Sequence, residues 1–175
     1  KDVKKYNRLK DYKMIRNITQ KRNNRIRDFI HKASNYIIKQ CILNNISMVV
    51  IGHNKGGKDS KRFWKKTTQM FQSIPHTMLI NQIKYKAETH SIQVEITEES
   101  FTSVTDNLVK EDLNADIRLG KRVKRGLFKS SSGININSDI NGALGIIRKV
   151  VSEEVFNTFI GNSGVRLTPK SIYLN

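Results

Sequence analysis

Cysteine is almost absent from this chain of 175 residues: Cys41 is the only one, which excludes an internal disulfide and any multi-cysteine zinc site. Aromatic residues make up 7% of the chain, too few for a protein that reads nucleic acid by base stacking alone. No apolar run approaches the length of a membrane-spanning helix, and no signal-peptide pattern follows Lys1. No internal repeat or second domain is visible. The four histidines, His31, His53, His76 and His90, are scattered without metal-type spacing. Neither a nucleophile elbow nor a dinucleotide fingerprint occurs, and the Gly/Lys-rich stretch at 52–66 fails the GxxxxGK[ST] spacing. Since the sequence opens on Lys1 rather than Met, it reads as a piece of a longer protein.

Positive charge is abundant and unevenly placed. Residues 1–66 hold 19 Lys/Arg against 4 Asp/Glu, whereas residues 67–175 hold 13 against 11. Nearly all of the net charge of +17 therefore sits in the first third, an electrostatic footprint for a polyanion, most simply nucleic acid. The acidic residues gather elsewhere: Glu88, Glu95, Glu98, Glu99, Asp106, Glu111, Asp112 and Asp116. A basic arm beside a separate acidic cluster suits metal-dependent phosphodiester chemistry, and it equally suits a solvated acidic loop.

Periodicity gives the coarse layout. A basic, partly helical lead-in covers residues 1–24. Ile26, Phe29, Ile30, Ala33, Ile37, Cys41 and Ile42 then recur at helical spacing, with a buried thiol the expected role of Cys41. Asn44-Asn45 ends that helix, and ISMVVI (46–51) reads as a strand apolar on both faces. Pro75 marks a helix start, followed by the stripe Leu79, Ile80, Ile83 and Ala87. Ile92, Val94 and Ile96 alternate with polar residues as a half-wet strand, and 98–121 reads as a polar loop. KRVKRGLFK and GININ flank SSSG as a hairpin, and Ile140, Ala143, Leu144, Ile147 and Val151 make the stripe of a further helix. The last stretch, 152–175, contains Gly161, Gly164 and Pro169 and reads as loop-rich. The alternation of strands and helices implies an α/β layer fold with a partly parallel sheet.

Asp139 stands between the hairpin and this last helix. A carboxylate there is aimed by a strand and held by a rigid helix, a good position for a divalent metal. Asn137, Ser138 and Asp139 are also all good N-cap types, so a capping role is the simpler alternative. Glu98 and Glu99 follow directly on the strand ending near Ile96. Carboxylates at strand ends and helix starts of one sheet can converge on metal ions that clamp a phosphodiester.

Five blocks carry a family resemblance: KRNNRIRDFIHKASNYII (21–38), MVVIGHNKG (48–56), SIPHTMLINQIKYKAE (73–88), EESFTS (98–103) and RVKRGLFKSSSGININSDINGAL (122–144). In these blocks and their order the chain resembles the OrfB/TnpB proteins of bacterial insertion sequences. Those are traditionally labelled transposases and are understood as transposon-encoded, RNA-guided DNA endonucleases related to type V CRISPR effectors. The resemblance implies an α/β, RuvC-like (ribonuclease H-type) fold over 25–151, incomplete at its N-terminus. It implies Mg²⁺ (or Mn²⁺) as cofactor, DNA and a guide-type RNA as partners, and a cytoplasmic, nucleoid-associated place in a bacterial host.

Position by position, Asp139 matches the Asp of the family's third catalytic motif. The glutamate that normally ends the family's central strand is replaced by Gly52, so Glu98 or Glu99 in the EESFTS block is the expected substitute metal ligand. The first motif's Asp would lie before Lys1. Many relatives carry two Cys-x-x-Cys pairs between the TS turn and the last Asp; with no cysteine after Cys41, residues 104–121 cannot form that zinc ribbon. The expected nucleic-acid contacts are Lys21, Arg22, Arg25, Lys32, Lys55, Lys58, Arg62, Lys65, Arg122, Lys124 and Arg125. The chain alone, lacking one of three carboxylates, is expected not to cleave. A non-catalytic nucleic-acid binder or inactive transposon remnant is the alternative, and a structural basic protein of ribosomal type is a third reading.

Overall fold

A computed structural model describes residues 2–54, 75–163 and 166–174. The elements run α1 (Asp2–Leu43), β1 (Met48–Gly52), α2 (His76–Glu88), β2 (Gln93–Thr97), β3 (Lys121–Lys124), β4 (Leu127–Lys129), β5 (Asn135–Asn137), α3 (Ser138–Arg148) and α4 (Glu153–Ser163). They sort into two compact units, one holding α1 and α2, the other holding every strand with α3 and α4.

In the first unit, Ile30, Ser34, Ile38 and Cys41 recur at i, i+4, i+8 and i+11 and form the buried stripe of α1. They pack on α2, whose buried residues are Ile80, Ile83 and Ala87. The stripe differs from the expected one: Phe29 is 59% exposed and Ile42 47% exposed, while Ser34 sits fully buried at the centre. Polar chemistry explains the shift. Ser34 Oγ donates to the Ile30 carbonyl at 2.7 Å and accepts from Lys86 Nζ at 2.7 Å, and Lys86 Nζ also donates to the His31 carbonyl at 2.9 Å. A small hydroxyl residue lets a lysine of α2 reach the backbone of α1, and the partial burial lowers the Lys86 pKa. The helix ends in a Schellman arrangement: Asn45 turns left-handed (φ 52°), its N–H meets the Ile42 carbonyl, and the Ile46 N–H meets the Cys41 carbonyl at 2.8 Å. At the start of α2 the Pro75 carbonyl accepts from the Met78 and Leu79 N–H groups.

The second unit contains two small sheets. β1 and β2 pair in parallel with Met48 opposite Gln93 and Gly52 opposite Thr97, and the His53 N–H extends the ladder to the Thr97 carbonyl at 2.8 Å. All five β1 residues are half-buried rather than fully covered; among the described residues this sheet has only two strands. β3, β4 and β5 form an antiparallel meander, so the expected hairpin around SSSG is present with an added edge strand. Its core is Phe128, Ile136, Leu144 and Phe156, with Leu108, Ile140, Ile147, Val151 and Ile160 packed around it.

The expected loop-rich end from residue 152 is corrected by α4, a helix over Glu153–Ser163. Phe156 is 1% exposed in the core and Ile160 packs beside it, so burial holds a helix that Gly161 does not interrupt. Ser152 begins it, its carbonyl accepting from the Phe156 N–H, with Glu153 and Glu154 in the first turn where the helix dipole favours them.

Candidate metal and nucleic-acid site

The first turn of α3 settles what caps it. Asn137 lies in extended backbone (φ −61°, ψ 134°), and its Oδ1 accepts from the Asp139 N–H at 2.9 Å and the Ile140 N–H at 3.2 Å. Capping therefore belongs to Asn137. Asp139 is solvent-exposed, and among the described residues its carboxylate takes part in no hydrogen bond or ion pair. The capping alternative for Asp139 does not hold.

The structure also separates the two glutamates. At the end of β1, a Cβ on Gly52 would lie 2.6 Å from Glu99 Cγ, 3.0 Å from Glu99 Oε1 and 2.5 Å from Ile146 Cδ1. The Glu99 side chain thus fills the space a side chain at position 52 would need. A side chain at position 52 would have to displace the ends of Glu99 and Ile146. None of the three atoms nearest that position belongs to Glu98, whose carbonyl accepts from Lys149 Nζ at 2.9 Å. Ile146 belongs to α3 and stands two helical turns after Asp139, about 10 Å along the axis and on the same face. One helix therefore carries Asp139 at its open end and, further along, brings Ile146 to the same Gly52 position that Glu99 flanks.

Among the described residues no group of three or more His, Cys, Asp or Glu is gathered closely enough to hold a metal. Much of the acidic cluster read from the sequence is used structurally. Asp106 is fully buried, its Oδ2 accepting from Ser130 Oγ (2.9 Å), the Ser131 N–H (2.7 Å) and Ser131 Oγ (3.0 Å), while its buried Oδ1 has no partner among the described residues. Glu111 accepts from the Asp106 N–H at 2.7 Å and pairs with Arg118 at 3.3 Å. Glu88 closes α2 in the other unit.

The irregular stretch between β2 and β3 is thus a buried polar network. Asn107 is its hub: Nδ2 donates to the Thr102, Thr105 and Asn141 carbonyls, the backbone N–H donates to Asn141 Oδ1, and Oδ1 accepts from Arg148. Arg148 also donates to the Glu111 carbonyl at 3.0 Å and lies over the Phe156 ring; burial lowers its pKa, with Asp112, Glu153 and Glu111 opposing. Gly145 admits the segment, since a Cβ there would meet Thr102 Cβ at 2.8 Å and the Asn107 amide at 2.9 Å.

Sequence reasoning missed Lys149, Asn107, Asn141 and Arg148 because polar residues in an acidic loop or at a helix end look solvated. Their one visible signal is an Asn and an Arg set seven apart, Asn141 and Arg148, on α3.

The expected nucleic-acid contacts fall in both units. Lys21, Arg22 and Arg25 are exposed on α1, and Lys32 is half-buried in an i,i+4 pair with Asp28 at 3.0 Å. Arg122 and Lys124 are exposed on β3, with Arg125 in the turn before Gly126. Lys55, Lys58, Arg62 and Lys65 lie outside the described residues. Among the described residues no helix is long and apolar enough to cross a membrane.

Residues 76–146, which include Glu98, Glu99, Asn107 and Asp139, match the family model described as "Cas12f1-like, TNB domain". No curated protein matches. Among solved structures, a chain of the "Cryo-EM structure of the Cas12f1-sgRNA-target DNA complex" is similar with a TM-score of 0.56 and 17% identity, over 76% of this chain and 36% of that one. The chain thus spans about a third of that relative's length, and the likeness is one of fold. It is a mixed α/β fold of the Cas12 and TnpB type, as the sequence resemblance implied.

Proposed function

We propose that the chain is part of a transposon-associated, RNA-guided DNA endonuclease with a RuvC-like core, in which Asp139 and Glu99 hold a divalent metal. The observation that carries this reading is the Glu99 side chain lying over Gly52, where the resembled family places its strand-end glutamate. The donor set fits Mg²⁺ (or Mn²⁺): an exposed Asp139 not used as a cap and an exposed Glu99 offer hard oxygen ligands, and one or two protein carboxylates with substrate phosphates is that ion's usual complement. When bound, such an ion polarises the phosphodiester and activates a water. Asp139 supplies a ligand from a rigid helix, and Glu99 supplies one from the end of the parallel pair.

The exposed cations of α1 and β3 would contact RNA or DNA backbone, as the sgRNA and target DNA in that Cas12f1 structure suggest. The setting is cytoplasmic and nucleoid-associated. The test is Mg²⁺-dependent cleavage by the intact protein with its guide RNA. Asp139→Asn and Glu99→Gln abolish it, and Glu98→Gln leaves it largely intact. Full activity of the Asp139 variant would refute the assignment.

One observation favours a second reading, a nucleic-acid binder without chemistry: Gly52 stands where the resembled family carries its strand-end glutamate. In that case the intact protein binds nucleic acid with steep salt dependence and shows no metal-dependent cutting.

A further inference from the structure

We infer that Lys149, with Thr102, is a positioning residue for Glu99, gripping the peptide on both sides of it so that its carboxylate is held over Gly52. This rests on the metal-site reading above. Lys149 is the C-cap residue of α3, where a lysine would ordinarily serve its own helix's last carbonyls. Instead, its Nζ reaches the segment after β2 and donates to the Glu98 carbonyl at 2.9 Å and the Ser100 carbonyl at 2.8 Å. The carbonyl between them, that of Glu99, accepts from Thr102 Oγ1 at 2.9 Å and the Thr102 N–H at 3.3 Å. Three consecutive carbonyls are thereby fixed from two directions, and one of the donors is charged.

The turn needs holding. Phe101, 56% exposed, has φ at 63°, in the left-handed region that disfavours a bulky side chain. Such a conformation persists where the surroundings over-determine it, and here Lys149 and the 3%-exposed Thr102 are those surroundings. Ile146, one turn before Lys149 on α3, would touch the same Gly52 Cβ position as the Glu99 side chain. Helix α3 therefore fixes both the backbone and the side-chain neighbourhood of Glu99 while carrying Asp139 at its other end.

The experiment uses the intact protein with its guide RNA and measures cleavage against Mg²⁺ concentration, alongside DNA affinity and thermal midpoint. Lys149→Met raises the half-saturating Mg²⁺ by roughly tenfold or more, the scale found for groups that orient metal ligands, and leaves DNA affinity unchanged. Lys149→Arg, which keeps charge and donors, restores most of the metal dependence. A merely structural role lowers the thermal midpoint without moving half-saturation, and that result overturns the inference. If Lys149→Met does not fold, Thr102→Val, which removes only the Oγ1 donor, carries the same test. A raised half-saturation supports the inference and an unchanged one overturns it. Glu99→Gln separates the two levels. If it abolishes cleavage while Lys149→Met changes nothing, only the positioning role fails. If it leaves cleavage intact, the metal-site reading falls and the positioning role with it.

Discussion

Moving the glutamate back to position 52 is the sharpest perturbation this geometry offers. A Cβ on Gly52 would stand 2.5 Å from Ile146 Cδ1 and 2.6 Å from Glu99 Cγ, both well inside van der Waals contact. Gly52→Ala is therefore overpacked and should destabilise the chain by about 1–3 kcal/mol. At this chain length each kcal/mol lowers the thermal midpoint by roughly 2–4 °C. Glu99→Ala removes Cγ and the carboxylate, so the two substitutions are not additive: Gly52→Ala with Glu99→Ala should recover part of the cost, a coupling of about 0.5–3 kcal/mol. Ile146→Val removes the second close atom and should relieve the remainder.

The functional arm replaces alanine by glutamate. In the intact protein with its guide RNA, Glu99→Ala should lower Mg²⁺-dependent cleavage by roughly a hundredfold or more, since residues that merely orient ligands cost about 10–100-fold. Gly52→Glu in that background sends a carboxylate from the strand end into the vacated space and should restore a measurable part of the activity. Two results would refute the reasoning. One is a Gly52→Ala protein that matches wild-type stability with no coupling to Glu99, which would remove the shared space. The other is a folded Gly52→Glu/Glu99→Ala protein that is no more active than Glu99→Ala.

Other perturbations test the surroundings. Asp106→Ala strips three donors from Ser130 and Ser131 of their acceptor and should cost about 2–4 kcal/mol in chemical denaturation, with Ser130→Ala costing about 1; a loss under 0.5 kcal/mol would mean the buried carboxylate contributes little. Cys41 is 5% exposed, and burial raises its thiol pKa, so its reactive thiolate fraction falls. A disulfide reagent at pH 8 should modify it only as α1 and α2 separate, and fast labelling of the native chain would contradict that burial. Lys21→Ala and Arg25→Ala, one helical turn apart on α1, should each reduce the salt slope of nucleic-acid binding by about one. An unchanged slope would take that face out of the interface.

How much of this was legible in the sequence depended on the kind of signal. Apolar spacing located β1, α2, β2 and α3, although only α2 buries a regular stripe, Ile80, Ile83 and Ala87; β1 is half-buried throughout, and β2 exposes Ile96. Glycines and Pro169 near the end concealed α4, although Ser152-Glu153-Glu154 is a helix start and Phe156 an anchor. The stripe of α1 was misplaced around Phe29 because pattern reading counts apolar residues, whereas the helix contact there is built on Ser34 and Lys86. Asp139 was found by placement, but only the Asn137 hydrogen bonds show that it is not the cap. The choice between Glu98 and Glu99 was out of reach, since adjacent residues differ only in where a turn points them. The polar network around Asn107 left no periodic trace at all, since its partners are mainly backbone carbonyls that any sequence supplies.

That network bears on the candidate site through Asn141, two residues after Asp139 on α3. Its Nδ2 donates to the Thr105 carbonyl at 2.7 Å and its Oδ1 accepts from the Asn107 N–H at 3.1 Å. The 99–107 segment is thus tied to α3 at Asn141, near Asp139, and again at Lys149, beside Glu99. Pinned at both ends, helix and segment set the spacing of the two carboxylates as one piece. Asn141→Ala leaves the buried Asn107 N–H unpaired and takes one of two donors from the Thr105 carbonyl, and should cost about 1–3 kcal/mol. Asp106→Ala costs a similar amount, but its bonds run to the Ser130–Ser131 turn rather than to α3. The pair therefore separates stability from geometry: at matched stability, Asn141→Ala should raise the half-saturating Mg²⁺ for cleavage and Asp106→Ala should not. Equal shifts in both would mean that the carboxylates follow global stability alone, and the rigid spacing argued from Asn141 and Lys149 would be wrong.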